Sequence, residues 1–292
     1  MTNPPPPSAV APTGLIARLR ILAIAICATA VGCTAATLPI APDTPARAQS
    51  GGERSAGVTG GKAVLLAAYP GAFRFEGNAI VFKNGQRVVW DDGRAKTPAE
   101  KLTDADVEDM LSTPYPLARR GARTPSPGED PGRVRSDAFF KALYGGSEAA
   151  VRDDLARVPF VPGLGGGSLT VTTRFGVDKR IAAISRDLER LPPQFHKYLV
   201  PPGGAFNWRA IAGTSRLSVH SFGAAVDINT KYSDYWRWAG HTGGGAIPYS
   251  NRIPLEIVEV FEKHCFIWGG RWYHYDTMHF EYRPELIPAC HR

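Results

Sequence analysis

Apolar positions along the chain fall into short runs separated by glycine and proline rather than into one long periodic pattern. Ala79 to Trp90 (AIVFKNGQRVVW) sets Asn84-Gly85 between two β-prone runs, which predicts a hairpin. Thr103 to Leu111 opens on a capping residue and acids and predicts a short helix, and two more are expected at Ser136–Tyr144 and Glu148–Val158. Between them, Thr113 to Arg135 carries five prolines among arginines and glycines. Such a stretch predicts a long irregular connection, and long ordered loops are often functional. Past the Gly-rich break 163–167, Leu169 to Phe175 is β-branched and strand-like. Val177, Ile181, Ile184, Leu188 and Leu191 then recur at helical spacing, forming one apolar face that Pro192-Pro193 terminates. A further helix is expected from Pro254, in its favoured first turn, to about His264, feeding the apolar strand Phe266-Ile267-Trp268. The fold class is α+β: a small, mainly antiparallel sheet with helices on one side, preceded by an N-terminal accessory region.

Composition divides the chain further. Arg18 and Arg20 precede the apolar stretch Ile21–Gly32, and Ala46-Arg47-Ala48 has the small-x-small form of a cleavage site, so residues 1–48 read as a signal peptide. Ala30-Val31-Gly32-Cys33 alternatively suits a lipoprotein signal. The apolar stretch is shorter than the roughly 20 residues that span a bilayer. Membrane contact is therefore expected only through an N-terminal lipid or an uncleaved signal. Residues 49–62 are Gly/Ser-rich and predict a flexible linker, 63–162 the accessory region, and 163–292 the domain that bears the chemistry. Export to the periplasm or cell envelope follows. Cys265 and Cys290 are the two cysteines left beyond residue 48, and in an oxidising compartment they predict one disulfide. The net charge of +7 is spread without a basic run or stripe, so no nucleic-acid partner is expected, while an anionic wall polymer suits it.

The chemistry concentrates in two strings. In SVHSFGAAVDIN, Asp227 enters an apolar run, where a carboxylate is unfavourable unless a cation meets it. In WGGRWYHYDTMHFEY, acids, imidazoles and aromatics crowd around a glycine turn. A catalytic zinc needs three protein ligands and an open fourth position, and His220, Asp227 and His279 would supply the three, Gly223 letting the chain reverse between the first two. Asp276, three residues before His279, can reach the metal's water as general base if the segment turns there. By themselves, two histidines and two aspartates are weak evidence, because most histidines are surface or hydrogen-bonded core groups.

These strings resemble the zinc signatures of the VanY-type D-alanyl-D-alanine carboxypeptidase family, Ser-x-His-x-x-Gly-x-Ala-x-Asp and Trp-Gly-Gly-x-Trp followed by Asp-x-x-His, over roughly residues 168–282. The resemblance implies one zinc ion on His220, Asp227 and His279, Asp276 as catalytic base and Ser218 in the substrate cleft. It also implies an arginine, on the strand before the first zinc string, that grips substrate. Arg209 in Phe206-Asn207-Trp208-Arg209 stands there, with Arg216 as competitor, although the local sequence departs from the usual Gly-Tyr-Arg-Ser form. A guanidinium fork suits a carboxylate. Trp268, Trp272, His274, Glu281 and the run Tyr232–Trp238 stay open between cleft and packing roles. The implied function is cleavage of peptidoglycan stem peptides, in the first place removal of terminal D-Ala. An L-Ala-D-Glu or cross-bridge endopeptidase keeps the chemistry and changes the bond. A non-catalytic zinc-stabilised binding module, as in the hedgehog signalling domain that shares the fold, is the reading from another class.

Overall fold

The computed structural model describes residues 51–239 and 245–291; the expected signal segment 1–48 lies outside them. From Gly51 the chain is helical to Ala68 (α1), so the expected linker, where it is described, is helix. Leu65 and Ala68, with Tyr69 just beyond, anchor its C-terminal end in the core. The Asn84-Gly85 hairpin forms between β2 (Ala79–Phe82) and β3 (Arg87–Val89). β1 (Phe73–Glu76), which the pattern does not reveal, pairs antiparallel with β2. The helix expected over 103–111 lies earlier, as α2 (Pro98–Asp104). Thr97 and Glu100 close a reciprocal capping box with Pro98 in the first turn, and 109–111 adds only a single 3-10 turn.

The proline-rich stretch 113–135 is irregular apart from a short 3-10 turn at Ala118–Arg120, yet it is firmly held. Tyr115 Oη donates to Glu262 Oε1 at 2.7 Å and accepts from the Trp268 amide at 3.0 Å, while the Ala118 amide donates to the same carboxylate. α3 (Asp137–Tyr144) is capped by Ser136 as expected. The next helix stops early, at α4 (Glu148–Arg152), because Leu155–Pro159 leaves it as strand β4. β4 pairs antiparallel with β5 (Ser168–Thr172), and the Gly-rich break 163–167 is part of the connection joining them.

α5 (Val177–Glu189) buries Val177, Ile181, Ile184 and Leu188 completely, the face its spacing predicts. α6 (Leu255–Lys263) has Pro254 at its cap rather than in its first turn. The last sheet is antiparallel in the order β6 (Ala225–Asp227), β8 (His279–Tyr282), β7 (Phe266–Trp268). The class is α+β, but the strands form three small sheets rather than one. β5 meets the chain before β6 through isolated bonds, Thr172 N–H to Gly223 O at 2.9 Å and Phe206 N–H to Thr170 O at 3.0 Å, and among the described residues no ladder continues.

Residues on both sides of position 163 share one apolar core: Phe140 and Tyr144 of α3 pack on Phe222 at centroid distances of 5.9 and 5.7 Å. Cys265 and Cys290 form a disulfide. Among the described residues no helix is long and apolar enough to cross a membrane.

Candidate metal centre

The register of β6 against β8 sets Asp227 directly opposite His279. His220 arrives from a 3-10 turn, Val219–Phe222, capped by Ser218. The chain reverses at Gly223 with φ of 64°, and a Cβ there would lie 2.7 Å from Leu155 Cδ2 and 2.8 Å from the Thr172 nitrogen, so only glycine fits. Asp227 Oδ1, His220 Nε2 and His279 Nδ1 converge, with separations of 3.2 Å from Oδ1 to His220, 3.1 Å from Oδ1 to His279 and 3.1 Å between the imidazole nitrogens.

The outer nitrogen of each ring is already engaged. His220 Nδ1 donates to Ala205 O at 2.6 Å and His279 Nε2 to Glu281 Oε2 at 3.0 Å. Both inner nitrogens therefore turn a lone pair toward the carboxylate oxygen, and three converging acceptors repel unless a cation sits among them. Burial disfavours the His279 imidazolium, yet the hydrogen bonds it donates to Asp227 and Glu281 raise it to about 10, so that without a metal ion a proton on Nδ1 takes the cation's place. Burial would raise the Asp227 carboxyl, but the two imidazoles hold it well below the usual range. The donor set and its outer partners fit a divalent metal ion.

Two other clusters of acids, around Asp92 and Asp106–Asp109, also draw their carboxylates together, but Lys96 Nζ already lies among them, within 2.7 to 2.9 Å of Asp92, Asp106 and Asp109. The cation there is a side chain.

Asp276 sits where a turn puts it, with the His279 amide donating to its carbonyl at 3.2 Å. Gly269 makes the turn fit, since a Cβ on it would lie 2.4 Å from the Asp276 carbonyl oxygen. Asp276 Oδ1 is sealed from solvent without a partner, and burial first, then the charge of Asp227, raises its carboxyl. A carboxylate whose proton affinity is raised beside a metal site is equipped to take a proton there.

The triad and Asp276 line one open cavity of about 300 Å³. Ser218 and Arg209 line it too. Ser218 is buried, its Oγ accepting from the His220 amide, whereas Arg209 is exposed on the rim. The strand expected over 206–209 is absent: Ala210 and Leu217 form an isolated bridge instead, and the Ser218 amide donates to Arg209 O. Arg216 also faces the cavity, but its guanidinium is spent on the carbonyls of Leu102, Arg133 and Arg135. Trp268 is core, its Nε1 donating to Thr277 O at 2.9 Å, while Trp272 lies beside His279 in the wall. His274 is held by Asp130 Oδ2 at 2.9 Å and packs on Trp236, and Trp238 stands exposed.

Arg133 and Arg135, in the proline-rich stretch, form part of the wall, and no pattern in the two strings announces them. The guanidinium of Arg133 lies 4.8 Å over Trp272 and is tied by Nε to His274 O at 2.6 Å. Burial, then the charge of Arg216, lowers Arg135 to about 9. The one signal in the sequence was the length of that ordered connection.

A cleft with a His/Asp/His triad that could hold a metal ion and a carboxylate beside it is an arrangement suited to hydrolysis, and a comparison with known families agrees. Residues 212–282 match the family model described as D-alanyl-D-alanine carboxypeptidase, a match that supports a peptidase. The match contains His220, Asp227, Asp276 and His279 and excludes Arg209, Arg133 and Arg135. No curated protein and no solved structure matches the chain.

Proposed function

We propose that the protein is an exported zinc peptidase that removes terminal D-Ala from peptidoglycan stem peptides. The observation that carries this reading is the convergence of three lone-pair donors beside the unpartnered oxygen of Asp276. His220, Asp227 and His279 would hold the ion, which when bound supplies an electrophile that acidifies water and polarises a carbonyl. Asp276 takes the proton from the attacking water on its carboxylate and returns it to the leaving amine. Ser218 and Arg209 line the path to the metal, and the arginines of the wall favour a substrate that carries carboxylates, as a stem peptide does. Export is supported by the basic-apolar-small order of residues 1–48 and by the disulfide, which suits an oxidising compartment.

The test is digestion of purified muropeptides followed by mass spectrometry, with and without chelator. Loss of one D-Ala from pentapeptides, abolished by chelation and restored by zinc, is the expected result. Cleavage within the stem or cross-bridge would instead make it an endopeptidase. No turnover of any muropeptide by fully zinc-loaded protein would overturn the peptidase reading.

A further inference from the structure

Beneath the triad runs a buried chain of charged and polar groups that the reaction does not use. His279 Nε2 donates to Glu281 Oε2 at 3.0 Å, and Arg283 Nη1 donates to Glu281 Oε1 at 2.9 Å. Arg283 Nε in turn meets Glu285 Oε1 at 2.5 Å, and Tyr69 Oη, just past α1, donates to Glu285 Oε2 at 2.7 Å. Tyr69, Glu281, Arg283 and Glu285 are each no more than 3% exposed. The same Arg283 Nη1 reaches Gly132 O at 3.0 Å, next to Arg133 of the cleft wall. Gly132 lies so close that a Cβ would stand 3.0 Å from Glu281 Oε1 and 2.7 Å from Ile267 Cδ1.

A buried ion network of this size is weak evidence for stability, because desolvation offsets most of the attraction and apolar replacements often do as well. Its geometry does something an apolar cluster cannot. An acceptor at His279 Nε2 keeps the proton on that nitrogen and leaves Nδ1 as the one that faces Asp227 and His220. We infer that Glu281, held by Arg283, is the positioning residue of the metal site, and that Arg283 couples it to the wall segment through Gly132 and to the end of α1 through Glu285 and Tyr69. Parts of the chain outside the family match thereby set the ligand geometry within it. The inference rests on the triad holding a metal.

Zinc affinity of the full exported chain, measured by competition with a chromophoric chelator, tests it, together with the visible absorption of the cobalt-substituted protein. Glu281→Gln keeps the side-chain volume and is expected to weaken zinc binding 10- to 100-fold and to shift the cobalt bands. Tyr69→Phe, remote from the metal, is expected to weaken binding a few-fold in the same direction. Exposed Glu76→Gln serves as control and leaves both readouts alone. Glu281→Gln with native near-ultraviolet dichroism, zinc affinity within twofold of the parent and an unchanged cobalt spectrum would overturn the inference. Glu281→Ala is the stronger deletion, and if it does not fold, the glutamine variant decides alone. A parent chain that binds no zinc sinks the metal reading itself, an outcome distinct from a parent that binds tightly and variants that bind equally well.

Discussion

Asp276 and Asp187 show how differently two carboxylates are used. Asp276 has one oxygen sealed in the cleft and a raised proton affinity. Asp276→Asn is expected to lower kcat by about 10² to 10⁴ while zinc content by metal analysis stays at one per chain; normal turnover by the variant would remove it from the mechanism. Asp187, on α5, accepts from Lys263 and His264, whose hydrogen bonds lower its carboxyl to about 2. A depressed carboxyl contributes stability that is present above its unfolded value, near 4, and is lost as pH falls toward its folded value. Asp187→Asn should therefore destabilise by about 1 kcal/mol at pH 7, the surface partners being screened, and the melting curves of parent and variant should converge by about pH 2. A gap that stayed constant down to that pH would contradict the assignment. The meeting of His220, Asp227, His279 and Asp276 in one cleft was expected from the resemblance of their two strings to family signatures, since the residues by themselves pointed more often to surface or core. Arg133 was not, since its meeting with Trp272 and His274 depends on a fold-back across some 140 residues that no local pattern encodes.

Elements with one clean face were readable, and elements defined by their partners were not. α5 announces itself through Val177, Ile181, Ile184 and Leu188, all of which reach full burial. β4 has no alternation of its own and becomes a strand by pairing with β5, so helical propensity carried the expected helix too far. At α2 the signal was present in Thr97-Pro98-Ala99-Glu100, but the acidic run after Thr103 outweighed it. The turn between His220 and Asp227 carries the sharpest demand at this scale. Gly223→Ala would force a Cβ into Leu155 and the Thr172 nitrogen at an already left-handed φ, and should destabilise by about 2 to 4 kcal/mol. Denaturant titration with zinc present would show the midpoint falling; an unchanged midpoint would mean the turn can relax away from β5.

For the whole molecule, the cavity draws its walls from both sides of the break at 163. Leu102, Thr103, Arg133 and Arg135 line it together with the triad, and α3 shares its core with Phe222. Composition marked the glycine-rich segment correctly as a break, but that break is a connection within the β4–β5 pair. The chain's end is tied back by the bridge between Cys265 and Cys290, 25 residues apart. In the loop-entropy description such a closure is worth about 3 kcal/mol, so adding reductant, or replacing Cys290 by serine, should lower the denaturation free energy by about that amount. Indifference to reductant would show that the C-terminal turn is held by packing alone.

The guanidinium stacked on Trp272 also bears on chemical selectivity. A small chelating inhibitor aimed at the proposed metal site would engage only residues inside the matched stretch 212–282, and so would not discriminate among proteins sharing that pattern. A compound extended by an acidic arm toward Arg133 would find its second anchor on a stretch of chain the family pattern does not include, and that arm is where a probe specific to this protein should be elaborated.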